Sequence, residues 1–83
     1  MVNRVVADDE VAQHTVDLAQ RLADGPSWAL GQAKRIIYSG YDMPLEQAGE
    51  LEGVKIAQSM GRADGREGIA AFVEKRRPQF TGN

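Results

Sequence analysis

Apolar residues recur at helical spacing in the first part of the chain. Val11 and Leu18 lie on one face of a helix that the pattern predicts over about residues 9–24. The dipeptide Gly25-Pro26 comes next. It marks the end of this helix and the start of another, because glycine is common just after a helix and proline just inside one.

The same signals predict three further helices. The second covers about residues 26–39, Pro44 opens the third, and the fourth starts after Asp64 and ends before Pro78. The fold class predicted from these segments is all-α, a small bundle of about four helices. Exchange of helices between chains is left open as a variant of this fold.

A single helical domain is expected, because 83 residues are too few for two domains. This domain is predicted to cover residues 1–83. It comprises an extended N-terminal segment at 1–7, helices within 8–77 and a short tail at 78–83.

The third helix carries two glycines, Gly49 and Gly53, four residues apart. Each costs about 1 kcal/mol of helix stability relative to alanine. This cost is consistent with close approach of another backbone on that face. The alternative is a weak helix with small exposed residues.

Composition narrows the class of protein. Hydrophobic residues make up 42% of the chain and charged residues 27%, as in ordinary globular proteins. The net charge of −2 disfavours nucleic-acid binding, which a basic excess promotes. The chain has no cysteine and a single histidine, so no metal site is predicted. No apolar run approaches the roughly 20 residues of a membrane span, and a cytoplasmic location without a membrane partner is expected.

The stretch "GRADGREGIAAF", residues 61–72, resembles a glycine-rich loop that opens a helix and cradles a phosphate. Asp64 stands at the expected helix cap, and Glu67 follows three residues later, in a variant of the capping box. The Asp64 carboxylate would occupy the N–H groups that a phosphate needs and would repel the phosphate. We therefore predict a capped helix here, with Gly61 and Gly65 as turn residues.

The other end of the fourth helix is basic. The stretch "FVEKRRP" is expected to bring Lys75, Arg76 and Arg77 into the last turn, where positive charge is favourable. Phe72 and Lys75 are three residues apart and are predicted to project from one side. Such a pair suits an adenine ring with a nearby phosphate. A core phenylalanine with a solvated lysine over it is the alternative that composition favours.

The order of residues along the chain resembles the enoyl-CoA hydratase/isomerase (crotonase) family. The resemblance is carried by "VNRVVADDE", "LAQRLADGPSWALGQAKRII", "LEQAGELE" and most specifically "DGREGIAAFVEKRRPQFTG". It covers nearly all of this chain but only about the last third, the C-terminal region, of a typical family member. The chain is accordingly interpreted as an expressed fragment or as a short free-standing reading frame.

The resemblance implies that catalysis and subunit assembly belong to different parts of a family member. In the family, the oxyanion hole that polarises the acyl-CoA thioester and the acid–base carboxylates lie upstream, so no catalytic residue is assigned here. The terminal helices join subunits into oligomers and help to hold the nucleotide of CoA. On matching positions, Phe72 would lie against adenine and Lys75 would approach the phosphates, but only in an intact parent assembly. This chain alone is expected to bind no cofactor and to form a homo-oligomer.

These observations support two hypotheses about the function. The first is an assembly and CoA-lid fragment of an enoyl-CoA hydratase/isomerase, acting in fatty acyl-CoA metabolism and inactive by itself. The alternative is an independent helical interaction module that self-associates or docks onto full-length relatives. A nucleic-acid-binding domain using Lys34-Arg35 and the basic C-terminal cluster, and a complete enzyme, are less favoured.

Overall fold

The computed structural model describes residues 2–83, and Met1 lies outside the described residues. This range contains four α-helices, one short 3-10 turn and no β-strand. The prediction of an all-α fold with about four helices is therefore confirmed. The turn covers Asp8–Glu10, and the helices are α1 (Val11–Ala23), α2 (Ser27–Gly40), α3 (Leu45–Met60) and α4 (Ala63–Val73).

The helix boundaries follow the sequence signals at some points and depart from them at others. Pro26 and Pro44 stand immediately before α2 and α3. Asp8 and Asp9 belong to the 3-10 turn and make no side-chain capping bond. The division of residues 1–83 into one domain with a tail stays a prediction, although the last helix stops at Val73 rather than near residue 77.

The start of α4 corrects the predicted capping box. The helix begins at Ala63, and its N-cap is Arg62, so Asp64 lies inside the first turn. No side chain caps this end, and the backbone N–H of Asp64 donates instead to the carbonyl of Asn83 at 3.2 Å. The C-terminal tail therefore supplies a cap that the local sequence was expected to provide.

A close backbone approach occurs at a different glycine from the predicted pair. A Cβ added to Gly49 or Gly53 would meet no atom within 4 Å, so in residues 2–83 no backbone approaches that face. A Cβ on Gly65 would lie 2.8 Å from the carbonyl carbon of Ser59, 2.9 Å from Cα of Met60 and nearer still to the Ser59 carbonyl oxygen. Gly65 is thus a helical residue that lets α4 cross the end of α3, and not the turn residue expected.

The four helices form an open row and do not enclose a hydrophobic core. Across residues 2–83 each α-helix packs only against its neighbours in sequence, and the molecule measures 43 × 38 × 19 Å. Its thickness is thus about two helix diameters. The radius of gyration is 15.8 Å, whereas about 12 Å is typical of a compact chain of this length.

Burial is correspondingly slight. Ala71, 1% exposed, is the only buried hydrophobic residue among residues 2–83. The accessible surface is 6998 Å², whereas a compact protein of this mass exposes about 4,900 Å². The chain thus carries about 2,100 Å² of surplus surface, much of it on apolar residues of every helix.

Candidate functional site

The C-terminal end of α4 is closed by a Schellman motif. The N–H of Lys75 donates to the carbonyl of Phe72 at 3.3 Å, and the N–H of Arg76 donates to the carbonyl of Ala71 at 3.0 Å. Lys75 occupies the left-handed position of this motif, with φ of 55°. Glycine is the usual residue there, because any side chain raises the energy of this conformation.

Phe72 and Lys75 are brought to the same end of α4, although not in the way the sequence predicted. Phe72 is helical and 85% exposed, whereas Lys75 lies beyond the helix end and outside its last turn. The helical three-residue spacing therefore does not set their relative direction. The Schellman motif sets it, since the Lys75 amide is bonded to the Phe72 carbonyl.

Phe72 also borders an open apolar pocket of about 410 Å³. The pocket lies between the start of α2, the α3–α4 junction and the tail, and its larger lining side chains are Trp28, Met60, Arg62, Ile69 and Phe80. The Arg62 guanidinium carbon lies 4.5 Å from the centre of the Trp28 ring, which is a cation–π distance. The Nε atom of Arg62 is buried and has no hydrogen-bond partner. The pocket therefore combines aromatic walls with one cation.

Arg76 is held by two glutamates. Its Nη1 and Nη2 atoms donate to the two carboxylate oxygens of Glu67 at 2.6 and 2.9 Å, and its Nε donates to Glu74 at 2.5 Å. Glu67 also accepts the backbone N–H of Gln79 at 2.8 Å. We call Glu67, Arg76 and Glu74 the arginine clamp. It ties the middle of α4 to the residues that follow the helix.

The hydrogen bonds between Glu67 and Arg76 shift the pKa of both groups. The Arg76 hydrogen bonds, followed by the Gln79 amide, lower the pKa of Glu67 from 4.5 to about 2. The hydrogen bonds to Glu67 and then to Glu74 raise the pKa of Arg76 above its usual range. Glu67 and Arg76 are consequently both charged at neutral pH.

Asp64 holds the end of the tail. Its carboxylate accepts the backbone N–H of Thr81 at 2.7 Å, the Thr81 hydroxyl at 3.2 Å and the N–H of Gly82 at 2.8 Å. The bond from the Thr81 amide is the main reason that the pKa of Asp64 is lowered, even though the residue is only 5% exposed and burial opposes the shift. From the sequence, Asp64 and Glu67 were both predicted to form a local cap, and their role in binding the tail was not predicted.

Residues 2–83 contain no group of three or more His, Cys, Asp or Glu side chains that could hold a metal ion. Among these same residues no helix is long and apolar enough to cross a membrane. The carboxylates of α3, including Glu46, Glu50 and Glu52, are exposed.

Solved structures of enoyl-CoA hydratases contain this helical arrangement. A hydratase from Geobacillus kaustophilus HTA426 matches with a TM-score of 0.91 and 35% identity over 99% of this chain and 31% of its own. A hydratase from Polaromonas sp. JS666 matches with a TM-score of 0.91 and 29% identity over 96% of this chain and 31% of its own. The fold is thus that of a helical part of these larger enzymes.

The sequence leads to the same class. A family model described as enoyl-CoA hydratase/isomerase matches residues 1–83, so the chain belongs to the enoyl-CoA hydratase/isomerase family. The 1,2-epoxyphenylacetyl-CoA isomerase of Escherichia coli K12 is 39% identical over 82 residues, which are 99% of this chain and 31% of that protein. The chain therefore spans about a third of the length of the relatives it matches.

Proposed function

We propose that this chain is the C-terminal helical segment of an enoyl-CoA hydratase/isomerase, with roles in subunit assembly and in holding the nucleotide of CoA. It carries no catalytic residue of its own and is inactive alone. The open row of helices, with its surplus surface, is the observation that carries the assembly role.

The surplus surface supports assembly for a quantitative reason. About 2,100 Å² of excess surface on one chain is comparable to the area buried in large obligate interfaces. Exposed apolar side chains lie on every helix, for example Leu18, Ile37, Leu45 and Phe72. In water such surfaces favour contact with other polypeptides. The occupants proposed are the upstream part of a family member and other copies of the chain.

The nucleotide role rests on the end of α4. Phe72 offers an exposed aromatic face, and Lys75 adds a cation at the turn that follows. A base stacks on an aromatic ring, and an ammonium group attracts phosphate, so this pair suits the two ends of a nucleotide. Useful affinity requires the rest of the parent, because the pair covers only one side of such a ligand.

Two measurements test the assembly and inactivity proposals on the 83-residue chain. Sedimentation velocity over a range of concentrations should give a dimer or larger species, and crotonyl-CoA should not be hydrated above the buffer rate. Ile37→Glu, which places a charge on the apolar face of α2, should shift the chain toward monomer. Ser39→Glu, at an exposed polar position of the same helix, is the matched control.

A compact monomer at high concentration, or turnover of crotonyl-CoA, would contradict the proposal. If the chain self-associates but does not pair with the upstream part of a family member, the independent interaction module is the better account. The nucleotide role is tested in a fusion in which residues 1–83 replace the matching segment of the Geobacillus kaustophilus hydratase. There, Phe72→Ala and Lys75→Ala should each weaken CoA binding by about tenfold or more.

A further inference from the structure

The arginine clamp is built around Lys75, the residue in the left-handed turn. Glu74 and Arg76 are its two chain neighbours, and each is tied down through its side chain, Glu74 to Arg76 and Arg76 to Glu67. Gln79 is bonded to the same Glu67 carboxylate through its N–H. The backbone is therefore fixed on both sides of Lys75.

Lys75 itself contributes nothing to this arrangement through its side chain. Its side chain is exposed, and among residues 2–83 it makes no hydrogen bond or ion pair that would hold it. A lysine without a structural task nevertheless occupies a conformation in which glycine would be less strained. The clamp offsets this strain, because it closes the turn through charge-assisted and bidentate hydrogen bonds.

We infer that Glu67 and Arg76 are positioning residues, which hold Lys75 in the left-handed turn so that its ammonium group and the Phe72 ring meet one anionic, aromatic ligand together. This inference rests on the proposed nucleotide contact and extends it to residues that do not touch the ligand. The left-handed turn reverses the chain direction right after α4 and directs Lys75 independently of the helix face. Without the clamp, the turn would populate other conformations and the two groups would no longer be presented as a pair.

The first arm of the test uses the 83-residue chain and measures amide hydrogen exchange by NMR. Glu67→Gln keeps the size of the side chain but removes its charge, and the amides of Lys75, Arg76 and Gln79 should then exchange about tenfold faster. Glu46→Gln makes the same chemical change on the exposed first turn of α3 and should leave these amides unchanged. Arg76→Lys, which keeps the charge but loses the bidentate fork, should act in the same direction as Glu67→Gln.

The second arm measures CoA affinity in the Geobacillus kaustophilus fusion by titration calorimetry. Glu67→Gln and Arg76→Lys should weaken binding by about as much as Lys75→Ala, whereas Glu46→Gln should not. Lys75→Gly separates structure from binding, because it should retain the protected turn and still lose affinity. A clamp that only stabilised the turn, without positioning Lys75 for the ligand, would leave CoA affinity unchanged in Glu67→Gln and Arg76→Lys.

The outcomes separate the two claims. If Glu67→Gln speeds the exchange of Gln79 alone, the positioning role is wrong. The positioning role is also wrong if Glu67→Gln leaves CoA affinity intact while Lys75→Ala weakens it, and in that case the nucleotide contact stands. If Phe72→Ala and Lys75→Ala both leave the affinity unchanged, the proposed nucleotide contact is wrong and the positioning role for it falls as well. Faster exchange at Lys75 together with matched losses of affinity supports both.

Discussion

The last helix with its tail, residues 62–83, differs from the first three helices in how it is held together. Side-chain hydrogen bonds in α1 and α3 connect residues three or four apart, as between Gln13 and Asp17 or Lys55 and Gln58. In the last region, the bonds of Asp64 span 17 and 18 residues and the bond of Glu67 to Gln79 spans 12. Both buried residues identified in the described chain, Asp64 and Ala71, also lie in α4.

This difference indicates two kinds of stability within one small chain. The α4–tail region is closed by polar bonds to its own backbone, so its shape depends little on outside partners. Helices α1 to α3 keep their apolar faces open and gain stability when another surface covers them. The proposed ligand pair lies in the closed region and the proposed assembly surfaces lie mainly in the open one.

The largest effect is expected where the two regions meet, at Gly65. Gly65→Ala would force a methyl group into the backbone of Ser59 and Met60, and backbone atoms cannot move aside cheaply. We expect a loss of about 3 kcal/mol in the free energy of unfolding, at the upper end for an overpacked site. Urea denaturation followed by circular dichroism would measure it.

Gly53→Ala is the matched control in the open region. No atom lies within 4 Å of the new Cβ, so alanine should stabilise α3 by about 1 kcal/mol. If both substitutions have the same sign, the close crossing of α3 and α4 is not a feature of the protein in solution. If Gly53→Ala raises stability but weakens self-association, the open glycine face of α3 belongs to an interface.

A second prediction concerns the tail, whose attachment to Asp64 defines the closed region. Asp64→Asn keeps the shape of the side chain but removes the charge that accepts three hydrogen bonds. The amides of Thr81 and Gly82 should exchange with solvent at least about tenfold faster. Asp17→Asn in α1 is the control, and an unchanged tail in Asp64→Asn would remove the basis for treating α4 and the tail as one unit.

The sequence predicted the existence of all four helices, and it separated the first three well, because their signals are local. Helical spacing of apolar residues and the breaks at Gly25-Pro26 and Pro44 were enough to separate α1, α2 and α3. The choice between Gly53 and Gly65 as the site of close approach was not predictable. Both are helical glycines, and what distinguishes them is a backbone from another helix.

The polar contacts of the α4–tail region were predicted incorrectly for a related reason. Asp64 and Glu67 have the spacing of a capping box, and nothing in the sequence around them indicates that tail amides compete for the same carboxylates. The left-handed turn at Lys75 also lacked its usual signal, a glycine. Only Pro78 indicated that the helix had to stop nearby, and it did not indicate that the helix ends at Val73.

The pH dependence of stability should come largely from the closed region. The pKa of Glu67 falls from 4.5 to about 2, and that of Asp64 is also lowered. A carboxyl group whose pKa is lower in the folded state adds stability above its unfolded pKa, and this stability is lost as the pH falls toward the folded value. Thermal stability should therefore be level above about pH 5 and decline between about pH 4.5 and pH 2.

Glu67→Gln should flatten part of that decline, because the variant has no proton to take up at this position. Thermal melts followed by circular dichroism at a series of pH values would measure it, with Glu46→Gln in the open region as the control. A decline that is the same in Glu67→Gln and in the unsubstituted chain would mean that the clamp does not form in solution.

The smallest expected effect is a gain in stability at Lys75, and it tests whether the closed region contains strain. Lys75→Gly relieves the left-handed conformation, which costs a side-chain-bearing residue about 1 to 2 kcal/mol, but glycine gives back about half of this through unfolded-state entropy. A net gain of about 0.5 to 1 kcal/mol is therefore expected in urea denaturation.

Lys34→Gly, inside α2, should instead lose about 1 kcal/mol, because glycine is unfavourable in a helix interior. Opposite signs for two lysine-to-glycine changes would mean that the chain keeps a strained lysine at this turn at a cost in stability, which is the pattern expected of a residue retained for binding. A loss at both positions would mean that Lys75 does not adopt the left-handed conformation in solution.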